Sequence, residues 1–354
     1  MIKILFLFLF FFISQNIQNI FAQENSLLLQ ANAFSAEGEL DKASDLYRKA
    51  LAEGGNKAII YYNLGNIYYR KNNFSDAAKS YREVISQAPL FKNAYHNLGK
   101  LYYQLGEYSE ALRVFRTFHL IKKDDYDTLI LMGDTSREMQ DHFNAMRYYE
   151  KAKNLETSRA DAYLALADLF LSLSDGGSAL EILRKGEEVL TNPRPLMRFR
   201  AQILYDEGRY RDAANVLSLL LLNLKTNLDK EKEASKRERI QSDYYSLTVR
   251  LADALSQEGL NYLAIYELKK IVSEYPKQKQ GLRLLESLLL REKKEEEAFD
   301  FFKDFFDEDP KEYYRIMRNL LIRAYNNEKK GLSEKMLAFY KEKEISDEIS
   351  RLLQ

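Results

Sequence analysis

The chain has 354 residues, 53 basic and 53 acidic, with no Cys, no Trp and three His. Its 25 Tyr and 20 Phe stand against only 14 Gly and 5 Pro, about half the usual share of those two residues. No Cys means no disulfide framework, thiol nucleophile, thiolate zinc site or iron–sulfur cluster; balanced charge leaves no basic nucleic-acid footprint, and turn residues are too few for an all-β sandwich or barrel.

Lys3 precedes an unbroken apolar run from Ile4 to Ile13, followed by polar residues from Ser14 and a small residue at Ala22. Charged, apolar and small residues in that order are the pattern of an export signal, here residues 1–22, removed before Gln23. Ten apolar residues rise only about 15 Å as a helix, roughly half the bilayer core, so a comfortable span is not expected. Ile20 is larger than the usual residue three places before a cleavage point, which keeps an uncleaved N-terminal anchor open. The expected location is exported and periplasmic, with membrane contact only if this segment stays attached.

A fixed period organises the rest. Ala43, Ala77, Ala111, Ala145, Ala179 and Ala213 stand 34 residues apart. With units counted from Glu24, these are position 20. Position 8 is small in these six units: Ala31, Gly65, Gly99, Gly133, Ala167 and Ala201. Position 24 is large: Tyr47, Tyr81, Phe115, Tyr149, Leu183 and Leu217. The clock slips by 17 residues after Asn227, and Ala264 and Ala298 are again 34 apart. Apolar residues at positions 4, 7, 8 and 11, such as Tyr61, Leu64, Gly65 and Tyr68, mark one face of a first helix. Positions 20, 24, 27 and 28 mark a second. Gly38, Gly106, Gly208 and Gly259 fall between the stripes, where a short turn takes a left-handed residue, and all five Pro sit at unit boundaries. Small residues at positions 8 and 20 let the two antiparallel helices approach, and the large residue at 24 fills the space beside them.

The segment from Tyr61 through Leu64, Gly65 and Tyr68, with Phe74, Ala77, Tyr81 and Pro89 after it, resembles the tetratricopeptide repeat. The resemblance extends over 24–227 and 245–312. The repeat's usual Trp is absent, and Ser136, His142, Gly176 and Glu295 depart from the pattern. The resemblance implies an all-α, right-handed superhelical solenoid of antiparallel helix pairs, with first helices lining a concave groove. The expected organisation is six repeats over 24–227, a charged insertion at 228–244, two repeats over 245–312, and a degenerate repeat with a capping helix over 313–354. About eight to nine repeats result. The insertion reads as a solvated helix end or charged loop, with a docking element as the minority reading.

At 100° per residue, positions 2, 5, 9 and 12 of a first helix point roughly 130° away from its core stripe. They nominate Tyr62, Asn66 and Tyr69 with the adjacent Asn63, then His96, Lys100 and Tyr103 with the adjacent Asn97, as an aromatic and amide-rich face. Asn can hydrogen-bond an extended peptide, and Tyr offers apolar area with a polar tip, although such Asn also serve as plain packing residues. Further along, beside Arg137, the four carboxylates of Asp127, Asp134, Asp161 and Asp168 form an acidic quartet that would attract a Lys- or Arg-bearing segment, unless they only keep the helices soluble. The family's two-Lys carboxylate clamp is not matched, because Leu28 and Asn93 stand where it would need cations.

Chemistry finds little support. His96, His119 and His142 fall on different faces, Gly54-Gly55-Asn56-Lys57 lacks the spacing of a phosphate loop, and Glu295-Glu296-Glu297 reads as solvated charge on an exposed turn. An enzyme with its site inside a helical superhelix would need a buried Glu in a deep cleft, and no unit offers one. The expected function is therefore a non-enzymatic scaffold of the cell envelope, with no catalytic, cofactor or metal residues. Its partner is another protein or an extended peptide, with a basic segment favoured by the acidic stretch; nucleic acid and small-molecule substrates are not inferred. A membrane-tethered adaptor and an envelope enzyme are the alternatives.

Overall fold

A 34-residue period has to be filled by backbone that closes its own hydrogen bonds, and two helices with two short connections do so. The structure, a computed structural model, describes residues 26–343; the expected signal segment 1–22 and the part of the expected cap beyond residue 343 lie outside the described residues. Among the described residues the elements are α-helices and one 3-10 turn, with no strand. They group into two compact units that part after Asp175.

Unit 1 holds α1 (26–37), α2 (Leu40–Ala52), α3 (Lys57–Arg70), α4 (Phe74–Gln87) and α5 (Lys92–Gln104). It continues with α6 (Tyr108–Ile121), α7 (Tyr126–Glu138), α8 (His142–Leu155) and α9 (Ala160–Ser172). The period is visible in the lengths. A 13-residue α5, a three-residue turn, a 14-residue α6 and a four-residue linker before α7 make one repeat of 34. Each turn between first and second helix puts one residue at positive φ, at Gly38, Asn72, Gly106, Gln140 and Ser174, again 34 apart. Glycine is the natural occupant, yet Gln140 and Ser174 hold φ of 58° and 60°, so the turn outlasts its sequence signature. Asn56, Asn73, Asp125 and Asp141 cap the helices that follow them, each accepting from the backbone N–H three residues on.

Unit 2 holds α10 (Gly176–Val189), α11 (Arg194–Asp206), α12 (Tyr210–Lys230), α13 (Ala234–Gln257) and α14 (Asn261–Glu274). After these come α15 (Lys279–Arg291), α16 (Glu295–Lys303), a 3-10 turn (Phe306–Glu308), α17 (Pro310–Asn326) and α18 (Lys330–Glu342). The slip of the clock has a physical form here. Where the preceding second and first helices, α10 and α11, run to 14 and 13 residues, α12 and α13 run to 21 and 24. Seven residues added to one helix and eleven to the next, with one removed from the linker, account for the shift of 17. The charged segment 228–244 is thus the meeting end of two lengthened helices, and its residues 229–239 are almost all exposed. α13 is buried on two sides: Leu247, Leu251 and Ala254 join the cluster of α11 and α12, whereas Tyr245, Val249 and Ala252 join that of α14 to α18.

All eight alanines of the clock, Ala43 to Ala298, have no exposed surface. Beside them sits the closest contact of unit 1. A Cβ added at Gly65 would lie 2.7 Å from the Tyr81 ring; at Gly99 it would lie 2.2 Å from Phe115, and at Gly133 2.3 Å from Tyr149. The ring at position 24 occupies the space that a side chain at position 8 would need. Gly99→Val should therefore destabilise unit 1 by about 1–3 kcal/mol through overpacking. Chemical denaturation checks this, and an unchanged midpoint would remove the ring-on-glycine packing.

Candidate functional site

The residues nominated by the helical wheel all lie in unit 1, on α3, α5, α7 and α9. On α3 and α5 they form a connected amide and phenol network. Asn66 Oδ1 accepts from the Tyr81 hydroxyl at 2.8 Å and from Asn97 Nδ2 at 3.0 Å, and Asn97 Nδ2 also reaches the Tyr62 hydroxyl at 3.3 Å. Tyr62 packs its ring 5.0 Å from Phe91, and the Tyr69 hydroxyl donates to Gln104 on α5. Asn63 is half-buried, Tyr103 is half-buried with its ring 5.3 Å from Tyr108, and Lys100 is exposed. Burial, with Glu138 and Asp134 nearby, pushes the Tyr103 phenol up to about 12.

A rule within the repeat explains which of these side chains are free. Where position 24 is Tyr, position 9 accepts its hydroxyl: Tyr47 donates to Asn32, Tyr81 to Asn66 and Tyr149 to Asp134. Where position 24 is Phe115, no hydroxyl exists, and position 9 is Lys100. Such a buried hydrogen bond contributes about 0.5–1.5 kcal/mol, and an orphaned acceptor costs more. Position 9 is thus committed to packing wherever the partner is Tyr. The pairing was readable in the sequence as Asn or Asp recurring fifteen residues before Tyr.

His96 does not line the face as expected. It is 8% exposed, its Nε2 lies 2.9 Å from Thr128 Oγ1, and its ring packs edge-on to Phe115 and Phe118. Position 5 of α5 is covered by the Phe115 and Phe118 rings of α6 and by Thr128 in the first turn of α7. Burial first and then Lys92 hold the imidazole down at about 4. Thr128 Oγ1 donates in turn to the capping Asp125 at 2.7 Å.

The acidic stretch is not a bare one. Lys92 bonds Asp125 at 2.9 Å and Asp127 at 2.8 Å, and Arg159 bonds Asp127 at 2.9 Å and Asp161 at 3.1 Å. Arg159 also stacks 3.8 Å from the Tyr126 ring centroid, and Arg137 pairs with Asp168. Asp134 is half-buried and takes the Tyr149 hydroxyl at 2.7 Å; burial raises its carboxyl above the usual range despite that bond. The expectation of four bare carboxylates is therefore corrected: Asp127, Asp161 and Asp168 belong to ion pairs running from Lys92 on α5 to Asp168 on α9, and Asp134 is bonded to Tyr149. Lys92 and Arg159 were missed because they sit on the linker side of their helices, outside the wheel positions considered.

Unit 2 corrects two further expectations. Glu295 is 1% exposed rather than solvated, with Lys329 Nζ at 2.8 Å. Glu286 and Glu312 are also buried, so buried glutamates do exist in the array. Each is neutralised: Arg315 bonds Glu286 at 2.7 Å and Glu312 at 3.0 Å, and cations beside Glu295 and Glu312 hold both below the usual carboxylate range against the opposing effect of burial. They tie α15 and α16 to α17 and to the turn that follows it.

A family model described as tetratricopeptide repeat matches residues 28–90 and 62–118. No curated protein matches the sequence. Among solved structures, a tetratricopeptide repeat protein from Parabacteroides merdae is 19% identical, covering 75% of this chain and 98% of its own, at a TM-score of 0.47. MamA from Desulfovibrio magneticus is 16% identical, covering 47% and 94%, at 0.42. YrrB, described as having an unusual peptide-binding site, is 21% identical, covering 46% and 84%, at 0.39. With scores below 0.5, none of the three serves as a guide to the site.

Buried His96 makes the stability of unit 1 depend on pH. Its folded value lies below the ordinary 6.5, so between pH 6.5 and about 4 the unfolded chain binds a proton that the folded chain does not. Stability is thus fully present above that window and falls by about 2–3 kcal/mol across it as pH drops. Urea midpoints at pH 7 and pH 4.5 should diverge less in His96→Gln than in the parent. Equal divergence would contradict the placement of the ring.

Proposed function

We propose that the chain, whose residues 28–90 and 62–118 match the tetratricopeptide repeat model, is a binding scaffold taking a protein segment or extended peptide along the face of α3, α5, α7 and α9. The observation that carries this reading is a 310 Å³ hollow lined by Asn66, Tyr69, Arg70, Tyr81, Asn97 and Lys100. Amide and phenol groups there alternate with ring faces, a mixture suited to a peptide backbone and its side chains. The buried glutamates of unit 2 are bound into cross-helix ion pairs, which supports a scaffold over an enzyme.

A basic segment on α9 is the second reading. Asp161 and Asp168 keep 57% and 54% of their side chains exposed, and exposed pairs of this kind hold by about 1 kcal/mol or less, so a partner's cation can compete. The cell envelope is the proposed setting, supported by the order of charged, apolar and small residues over 1–22. A membrane-tethered adaptor is the form it would take if that segment is retained; no helix among the described residues is long and apolar enough to cross a membrane.

A photo-crosslinking residue at Tyr69 or Tyr103 should capture protein partners several-fold better than one at Tyr266, which is exposed on α14. Capture confined to Tyr266 would overturn the proposed face. Charge reversal at Asp161 and Asp168 should weaken capture at low salt more than at high salt, with helicity unchanged; undiminished capture would remove the basic segment. Fractionation with N-terminal sequencing should find the mature chain beginning at Gln23 outside the cytoplasm, and a cytoplasmic chain beginning at Met1 would contradict export.

A further inference from the structure

The hollow between α3 and α5 differs in sign from the rest of its face. No carboxylate lines it, whereas two cations do. Arg70 donates to the Ser35 carbonyl at 2.7 Å, a neutral acceptor that leaves the guanidinium charge unbalanced. Lys100 is exposed and has neither a hydrogen bond nor an ion pair. Its freedom follows from the repeat itself, since Phe115 has no hydroxyl to engage position 9. Across α7 and α9, by contrast, Asp127, Asp161 and Asp168 are each paired with a cation. In the same hollow Asn97 donates through Nδ2 to Asn66 and Tyr62, leaving its Oδ1 to accept a backbone N–H.

We propose that this hollow binds the side-chain carboxylate of an Asp or Glu within an extended peptide, through Lys100 and Arg70, with Asn97 Oδ1 taking a main-chain N–H beside it. The inference rests on the peptide-binding reading above and adds the chemistry of one subsite. The polar face continues beyond the hollow to Asn63 on one helix and to Tyr103 and Asp168 on others, so a segment crossing it has contacts before and after this point. The carboxylate that reaches Lys100 therefore belongs to a side chain rather than to a chain end. A charge-assisted contact of this kind discriminates by geometry as well as sign, because the planar guanidinium of Arg70 is directional and the ammonium of Lys100 is not.

The test uses the full chain and labelled nonapeptide libraries, acetylated and amidated at their ends, with the central residue fixed as Glu, Gln or Lys and the flanks random without Asp or Glu. Fluorescence polarisation should rank Glu above Gln by about threefold to tenfold, and Gln above Lys, with the preference shrinking as salt rises. Lys100→Gln should bring the Glu-to-Gln binding ratio to about one, and Lys100→Glu should favour the Lys library. Equal binding of the Glu and Gln libraries would overturn the acidic subsite and leave peptide binding intact. A Gln library with a free C-terminal carboxylate binding as well as the blocked Glu library would overturn the choice of a side chain. Binding of no library would overturn both this inference and the peptide-binding reading on which it rests.

Discussion

In each hairpin from α3 to α8 an aromatic ring of the second helix lies where a Cβ of the first would be, and the helices can approach only because that place is empty. Gly65, Gly99 and Gly133 supply the vacancy, and Tyr81, Phe115 and Tyr149 fill it. The approach brings the tip of the ring level with position 9, one residue past the glycine. A Tyr then carries a hydroxyl into a partly buried place and needs an acceptor, which Asn66 and Asp134 provide. A Phe makes no such demand. One packing constraint thus decides, repeat by repeat, whether the neighbouring polar side chain belongs to the core or to the surface.

Function follows from that division. Asn66 and Asp134 look outward on a helical wheel, but their acceptors are engaged by the fold. Lys100 occupies the equivalent place and is released because its partner is Phe115. The anions of α7 and α9 are held in a second way, by Lys92, Arg137 and Arg159, so the charge that stands unopposed at the hollow is positive. Net charge zero hides this, as does a reading that counts only carboxylates on one helix face.

Much of the architecture was legible because packing repeats with the chain. The alanine clock marks eight fully buried positions, the slip of 17 residues marks the lengthened α12 and α13, and the prolines fall in linkers or in first turns. The turn residue was legible only at glycines, since Asn72, Gln140 and Ser174 adopt the same left-handed backbone without the signature. The site was harder to read. Whether His96 is covered, or Asp127 is bridged by two cations, depends on residues 32 to 35 places away on or beside adjoining helices. A wheel drawn on one helix contains no neighbour, so it assigns outward direction and mistakes that for exposure. Glu295 was misread likewise: its place in a run of charges suggested water, yet Lys329, 34 residues on, makes its burial tolerable.

The dependence of position 9 on position 24 is the claim that the rest of this account needs. A double-mutant cycle on unfolding free energy, with Asn66→Ala and Tyr81→Phe, tests it most directly. The account predicts a coupling of about 0.5–1.5 kcal/mol for that pair, and additivity within about 0.5 kcal/mol for Lys100→Ala with Phe115→Leu. Additive effects at Asn66 and Tyr81 would contradict it.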